Sequence, residues 1–218
     1  MVQTKSKSRT SPAVVESSDS IALTVPRIVA VARRVMEESG VASVTMRRVA
    51  SELGVTAMAL YNHVADKQTL LALVADSVIS AVPDFARDSQ PWHERLREEF
   101  LAVHAEIDRY PGLGLYITGA RSFYPSGLRK FHQTMKILQG AGFDEDEALQ
   151  AIYLLLAYQG GYFLLNQAAA GPAAAGAPAS GLDTGRTKGD VLVHHDFRRG
   201  LETVIAGLRA NLAEKQRG

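Results

Sequence analysis

The segment Val44–Lys67 has the pattern of two short helices joined by a glycine turn: V-T-M-R-R-V-A-S-E-L-G-V-T-A-M-A-L-Y-N-H-V-A-D-K. Thr45 and Thr56 are suitable N-caps, because a threonine hydroxyl can accept a hydrogen bond from a free N–H of the first turn. Gly54 suits the left-handed backbone that commonly ends a helix. Such a pair is either an ordinary helical hairpin or a helix-turn-helix, which places its second helix in the major groove of DNA.

The second helix of this pair is predicted to have one buried and one exposed face. Leu60 and Val64 lie four residues apart, on one side of the helix, and we expect both to face the core. The other side forms an exposed stripe that includes a large apolar residue and an aromatic ring: Ala57, Met58, Tyr61 and Asn62. A helix-turn-helix would present this stripe to base edges.

Composition restricts the class of protein only loosely. With 218 residues, the chain can bury a full core in one or two domains. It has no cysteine, which excludes disulfides and thiolate metal sites and suits a reducing compartment. Residues 1–20 lack an apolar secretion signal, so we expect a cytoplasmic protein. The net charge of +1 permits DNA binding without requiring it.

Three parts are predicted along the chain, all of them without strands. Residues 1–23 are expected to be a disordered, basic and serine-rich arm, either a passive tail or an extension that contacts DNA phosphates or the minor groove. Residues 24–82 should form a head, in which a first helix runs from Thr24 to Gly40 and Asp66 caps a connecting helix. Residues 83–213 should form a second helical domain.

The second domain is predicted from apolar stripes at helical spacing. One helix should bury Trp92, Leu96, Phe100, Val103 and Ile107, and another should bury Leu128, Phe131, Met135 and Leu138. Asp144 and Glu147 suit a capping box at the start of the next helix. The last helix should begin near Asp196, after a low-complexity loop at 171–189 that is expected to be flexible.

The run 151–165 is apolar on nearly every side, with Gln159 as its clearly polar side chain. An all-round apolar helix of a soluble protein is buried on every side, and 15 residues fall short of the roughly 20 that span a bilayer. We therefore expect no membrane contact. One chain can cover one face of this helix and a second copy the other, so helices near 145–168 and 196–212 are expected to form a four-helix homodimer interface.

Residues 24–82 resemble the DNA-binding head of TetR-type transcriptional regulators. The match is strongest in L-G-V-T-A-M-A-L-Y-N-H-V-A-D-K-Q-T-L-L, which is similar to the family's L-G-V-x-x-x-x-L-Y-x-H-V-x-x-K-x-x-L-L. The second domain resembles the tetracycline-repressor branch more weakly, through Trp92, the 151–165 helix and the pattern F-x-x-G-L-x-x-x-I-x-G-L at 197–208. The resemblance implies an all-helical homodimer that binds a palindromic operator and leaves it when a small molecule binds.

The resemblance also implies roles for single residues. Arg47 matches a base-reading position, and its fork suits guanine O6 and N7. Met58 and Tyr61 match positions that contact bases through apolar groups, and Thr45, His63 and Lys67 match phosphate contacts. Thr56 and Ala57 complete the set of expected DNA contacts. At Ala57 and Ala59 this sequence departs from the family, in which side chains able to hydrogen-bond are frequent at these positions. Discrimination between DNA sequences should therefore depend on Arg47 and on methyl contacts.

Each of these roles has a structural alternative. Arg47 could be a solvated helix residue, Met58 could pack on a neighbouring helix, and His63 could interact with the helix dipole alone. Lys67 could be an ordinary surface lysine.

Effector-binding residues are expected where polar or aromatic groups lie among apolar helix faces. The candidates are Phe100, His104, Tyr116, Phe123, His132, Met135, Tyr153 and Gln159. The two histidines could instead be satisfied core residues. Tyr116 stands where close relatives of the tetracycline repressor have a metal-binding histidine, so we expect no metal, no cofactor and an effector that is hydrophobic or aromatic.

Two other classes of function are alternatives. An enzyme would need a nucleophile–base pair, a metal motif or a phosphate loop, and the sequence shows none of these motifs. The adjacent pair His194–His195 is a weak candidate for binding a metal. A DNA-binding regulator without an effector, constitutive or activating, would use residues 83–210 as a dimer scaffold with a filled core. The sequence leaves open the operator, the effector, the sign of regulation and the regulated genes.

Overall fold

The computed structural model describes residues 22–85, 90–119, 124–170 and 196–217, and the side chains of 167–170 are outside this description. All regular structure in these ranges is helical, which confirms the predicted fold class. The expected arm (apart from its last two residues), Phe123, the 171–189 loop and His194–His195 lie outside the described residues.

Four helices form the N-terminal head, with a short 3-10 turn at Val41–Ser43: α1 (Val25–Ser39), α2 (Met46–Leu53), α3 (Ala57–Tyr61) and α4 (Lys67–Ser80). Five described helices follow: α5 (Trp92–Asp108), α6 (Leu113–Gly119), α7 (Pro125–Ala141), α8 (Glu145–Ala170) and α9 (Phe197–Lys215).

The head helices begin at the caps that the sequence predicts. The side chains of Thr24, Thr45, Thr56 and Asp66 each accept a hydrogen bond from the backbone N–H three residues later. Gly54 ends α2 in the left-handed conformation, with φ of 69°, which an L side chain rarely adopts. The sharp turn between α2 and α3 therefore follows from local sequence.

One core cluster holds the head together and continues into the second domain. Leu60 and Val64 are buried, as predicted, in a cluster that also contains side chains of α1 and α4. Ile107, Tyr110 and Leu113, from the end of α5 and the start of α6, belong to the same cluster. The head therefore packs directly on the α5–α6 turn, with no separate linker between the two cores.

A second core cluster lies among α5, α7, α8 and α9, where Leu96, Leu138, Leu155 and Leu201 are completely buried. The predicted capping box at the start of α8 is present. The Asp144 N–H donates to the Glu147 carboxylate, and the Glu147 N–H donates to Asp144, both at 2.9 Å.

Helix α8 is longer than the apolar run suggested. Its segment Glu145–Asn166 is long and apolar enough to cross a membrane by length and composition, with 39% of the most apolar window buried inside the chain. The single chain thus covers one face of α8, as expected from the sequence, and the cover by a second copy stays a prediction. Leu154 and Leu164 on its outer face are 50% and 55% exposed, because one chain covers only the inner face.

The predicted apolar stripe of α7 is partly wrong. Leu128 is 43% exposed, whereas Ser126, Lys130 and Thr134 are at least 94% buried. These polar residues lie four apart on one face of α7 and satisfy their polar groups internally. For example, the Ser126 N–H donates to Asp76 of α4 at 2.7 Å. Tertiary hydrogen bonds thus outweigh the apolar spacing in setting which face of α7 is inside.

Candidate functional site

The outer face of α3 is an exposed surface with apolar and aromatic character. Met58 and Tyr61 are 73% and 48% exposed, while Leu60 on the opposite face is fully buried. Ala57, at the start of α3, is half-buried and packs against the head core. Met58 therefore does not pack on a neighbouring helix, and it is available for an apolar contact such as a thymine methyl group.

Two adjacent arginines of α2 differ in their surroundings. The Arg48 guanidinium binds Glu52 at 3.0 Å, and Glu52 also binds Arg34 at 3.2 Å. Arg47 is exposed and makes no ion pair or side-chain hydrogen bond within the part of the chain that the structure describes. Its guanidinium is therefore available for a planar, bidentate contact with a base edge or a phosphate.

The other predicted DNA contacts surround α3. Thr45 and Thr56 accept helix-capping hydrogen bonds, which leaves each hydroxyl proton able to donate to a phosphate oxygen. His63 is exposed just after α3, and Lys67 is the half-buried first residue of α4. The structure thus places the predicted residues at or beside the helix-turn-helix.

A cavity of about 430 Å³ lies in the second domain. Its wall is formed by α5, α6, α7 and α8, with Ile79 contributed by α4 of the head. Most of the lining is apolar or aromatic, and the aromatic members include Phe100, Phe131 and Phe163. Cavities of this size and character are typical of small-molecule sites.

Several polar groups interrupt the apolar wall. Glu99 and Lys130 are 4% and 6% exposed. The Lys130 ammonium donates to the Pro83 carbonyl at 2.9 Å and to the Asp84 carboxylate at 3.1 Å. The hydrogen bond between Lys130 and Asp84 lowers the pKa of Asp84. Burial raises the pKa of Glu99. Gln159 of α8 also lines the cavity, and its Nε2 is buried without a partner among the described residues.

Three of the eight predicted effector residues line this cavity: Phe100, Tyr153 and Gln159. His104 lies instead in an aromatic cluster, with its ring stacked on Phe197 at a centroid distance of 3.8 Å, and burial lowers its pKa. His104 is thus half-buried among aromatic rings and outside the cavity wall, but its Nδ1 has no hydrogen-bond partner among the described residues, so it is not the satisfied core histidine of the structural alternative.

The remaining described candidates also lie elsewhere. His132 is exposed on α7, and Met135 packs against the second core cluster. Both follow from the rotation of α7, whose polar face at Lys130 and Thr134 points inward. Tyr116 is not in the cavity wall; its hydroxyl contacts the head, at the carbonyl oxygen of Gln68.

Sequence reasoning missed the polar members of the wall, Glu99, Lys130 and Thr134. The four-residue spacing of Ser126, Lys130 and Thr134 was the available signal, because it places three polar side chains on one helix face. Spacing alone does not reveal whether such a face is inside or outside.

Ion pairs join the head to the elements that form the cavity. Arg33 of α1 binds Glu106 of α5 and also donates to the Tyr110 hydroxyl, at 2.6 Å. Arg109 bridges Glu106 and Glu37, with the bond to Glu37 at 2.6 Å. The end of α5, which also supplies Ile107 to the cavity, is thus held against α1.

Two family models match this chain. Residues 28–74 match bacterial regulatory proteins of the tetR family. Residues 85–184 match the tetracyclin repressor-like C-terminal domain. The two matches together cover most of the chain, with one on the head and the other on the domain that contains the cavity.

Individual proteins are similar at lower identity. The nucleoid occlusion factor SlmA of Yersinia enterocolitica is 28% identical over 151 residues, which cover 60% of this chain and 76% of that protein. ActR of Streptomyces coelicolor, solved with (S)-DNPA, is 27% identical, with a TM-score of 0.70 over 87% of this chain and 98% of ActR. BioQ, solved with its double-stranded DNA operator, is 25% identical, with a TM-score of 0.66 over 87% and 99%.

Proposed function

The chain belongs to the tetR family of DNA-binding transcription regulators, and on that premise we propose that it is a cytoplasmic, homodimeric repressor released from a palindromic operator by a small molecule. The observation that carries the ligand-dependent part is the cavity of about 430 Å³ whose walls also contact the head. The ActR structure with (S)-DNPA and the BioQ structure with an operator support the two binding activities by similarity.

For DNA, α3 would lie in the major groove. Arg47 would read a guanine, and Met58 and Tyr61 would contact thymine methyl groups or neighbouring base edges. Thr45, Thr56, His63 and Lys67 would contact phosphates and set the register, and Ala57 would permit close approach at the start of α3. The exposure of Met58 supports these assignments, as does the Arg47 guanidinium, which has no partner among the described residues.

Dimerisation would use α8 and α9, the helices near 145–168 and 196–212. The outer face of α8 exposes Leu154, Leu164 and Leu165. A Cβ added to Gly207 of α9 would meet no atom of the described chain within 4 Å, which leaves room for a second backbone. A two-fold dimer would place two heads on the half-sites of a palindrome.

For the effector, Phe100, Tyr153 and Gln159 would contact the ligand, together with the polar wall residues Glu99 and Thr134. A ligand in the cavity would displace α6, which packs against α8 and reaches the head through Tyr116. A regulator without an effector would have a filled core here, so the cavity favours ligand control over that alternative.

Selection of bound DNA from a random pool tests the operator. We expect a palindrome with half-sites about one helical turn apart. Screening a compound library for thermal stabilisation, and then for release of the selected DNA, tests the effector. Failure to shift any DNA at low salt would contradict the function as a whole, whereas DNA binding without release by any stabilising compound would favour the regulator without an effector.

A further inference from the structure

The two charged residues of the cavity wall differ in whether they form an ion pair. Glu99 and Lys130 are the charged residues in its described wall. Lys130 directs its ammonium to the Pro83 carbonyl and to Asp84, which is half-exposed. Lys130 is thus ion-paired with Asp84, and Glu99 is the charged residue of the wall that has no ion pair among the described residues.

The Glu99 carboxylate has few hydrogen bonds of its own. The Thr134 hydroxyl lies 3.4 Å from Glu99 Oε2 but 3.0 Å from the Lys130 carbonyl oxygen. A hydroxyl has one proton to donate, and the shorter distance indicates that Thr134 donates it to the Lys130 carbonyl oxygen and not to Glu99. No cation lies within ion-pair distance of Glu99 in the described ranges, although Lys130 and Arg95 attract it from farther away and Asp84 repels it.

The surroundings of Glu99 favour a cation over a neutral donor. A buried carboxylate without an ion-pair partner is costly, and an ammonium that binds it gains a charge-assisted hydrogen bond. The rings of Phe100, Phe131 and Phe163 line the same cavity, and their faces attract positive charge. The wall therefore combines an anion with apolar aromatic surface.

A second polar group fixes what else the ligand should carry. Gln159 is 6% exposed, lines the same cavity, and has a buried Nε2 without an acceptor among the described residues. An oxygen acceptor on the ligand would satisfy this amide. A ligand without such an oxygen would leave the buried Gln159 amide without a hydrogen bond, which is costly.

We propose that the cavity selects hydrophobic cations: molecules with an apolar, ring-bearing body, a protonated amine that binds Glu99, and a carbonyl oxygen that accepts from Gln159. The inference deepens the proposed function and rests on it, because it names the chemical class of the effector. It also identifies Glu99 and Gln159 as the residues that determine ligand specificity.

A series of similarly sized two-ring probes tests the charge preference. The probes are 4-(aminomethyl)benzophenone, 4-(hydroxymethyl)benzophenone and benzophenone-4-carboxylate, which carry a cation, a neutral donor and an anion on one body. Calorimetric titration of the full chain at pH 7.5, without DNA, should show the amine binding about tenfold tighter than the alcohol. The carboxylate should bind most weakly. Equal affinities, or no binding by any probe, would overturn the proposal.

Variants then assign the preference to residues. Glu99→Gln should remove the advantage of the amine and leave the alcohol unaffected. Gln159→Leu should weaken the amine probe but not 4-benzylbenzylamine, which has a methylene in place of the carbonyl. Glu145→Gln, at the exposed start of α8, is the matched control and should change none of these affinities. Persistence of the amine preference in Glu99→Gln would overturn the assignment.

The measurement without DNA separates this proposal from the repressor function. An amine that binds through Glu99 but leaves DNA binding unchanged would contradict ligand control and not the selectivity of the cavity. A neutral or anionic compound that binds tightly and releases DNA would contradict the selectivity and not ligand control.

Discussion

The hydroxyl of Tyr116 in α6 donates a hydrogen bond of 3.3 Å to the backbone carbonyl oxygen of Gln68 in the first turn of α4. Tyr116 also neighbours Tyr124, which lines the cavity; burial raises the pKa of Tyr124, and the nearby Tyr116 hydroxyl adds to the rise. Gln68 follows Lys67, a proposed phosphate contact. The Tyr116–Gln68 hydrogen bond and the proximity of Tyr124 therefore form a short connection between the cavity wall and the end of α4 that would face DNA.

Removing this hydroxyl should weaken the coupling between ligand and DNA. In Tyr116→Phe, we expect each partner to bind the chain alone with near-normal affinity, because Tyr116 contacts neither. The factor by which ligand weakens DNA binding should fall by roughly fivefold, at the lower end of typical coupling energies. DNA titrations with and without ligand measure this factor.

Tyr162→Phe is the matched control, since it removes a tyrosine hydroxyl within the second core cluster. Its coupling factor should equal that of the unmodified chain. If Tyr116→Phe also retains full coupling, the signal does not travel through Gln68.

The neighbouring arginines of α2 allow a matched test of base recognition. Arg47→Ala should weaken operator binding by about 1–3 kcal/mol and relax the preference at one base, while random DNA loses less. Arg48→Ala should have a smaller effect, because the Arg48 guanidinium binds Glu52. Competition titrations with operator variants measure both. An equal loss on operator and random DNA for Arg47→Ala would assign Arg47 to a phosphate.

Two positions on α3, Met58 and Leu60, should separate stability from recognition. Leu60 is fully buried, so Leu60→Ala should lower the free energy of unfolding by about 2–5 kcal/mol. Met58 is 73% exposed, so Met58→Ala should change stability by less than about 0.5 kcal/mol. It should still weaken operator binding by about 1 kcal/mol. Denaturant unfolding and operator titrations check the pair, and a stability loss in Met58→Ala would contradict the exposed position of this side chain.

The features that the sequence predicts well are those fixed by local chemistry. Thr45 and Asp66 cap their helices through hydrogen bonds to backbone groups three residues away. Gly54 adopts the one backbone conformation that favours glycine. None of these depends on what packs around the helix, so sequence spacing was sufficient for the two helices and their turn, and the resemblance to the TetR-type head identified the pair as a helix-turn-helix.

The cavity depends instead on tertiary contacts, and there the sequence was insufficient. Lys130 is buried because the carbonyl of Pro83 and the carboxylate of Asp84, some 46 residues away, receive its ammonium. His132, two residues later, is then turned to solvent. The apolar spacing of α7 cannot report a distant acceptor, so only part of its inward face was predicted correctly.

Because Glu99 is buried, we expect the stability of the fold to depend on pH. Burial raises the pKa of Glu99, so the folded chain holds this proton more tightly than the unfolded chain does. The resulting stabilisation is full below the unfolded pKa near 4.5 and is lost as the pH rises through the higher folded pKa. Above the folded pKa, the charged carboxylate therefore destabilises the fold relative to its protonated form.

Glu99→Gln should thus raise the free energy of unfolding at pH 7.5 by about 1 kcal/mol and give a smaller gain at pH 4.5. Denaturant unfolding at the two pH values measures this difference. Glu145→Gln, an exposed residue of α8, should show no comparable gain. The same gain at both pH values would mean that packing, not the charge of Glu99, is responsible.

The exposed leucines on the outer face of α8 predict that the protein is a dimer. Leu154 and Leu164 are 50% and 55% exposed in the single chain, and burying such side chains against a second copy is favourable. A charge at either position would have to be buried without a partner in that interface. Leu154→Glu and Leu164→Glu should therefore shift the species from twice 23.5 kDa to the monomer in sedimentation velocity.

Leu128→Glu is the matched control, because Leu128 is a 43% exposed leucine on α7, outside the proposed interface. This variant should remain a dimer. Monomeric variants should also lose operator affinity by a hundredfold or more, on the order expected when two linked half-site contacts become independent. A monomeric unmodified chain, or dimers that tolerate both glutamates, would contradict the interface on α8 and require the two heads to be joined elsewhere.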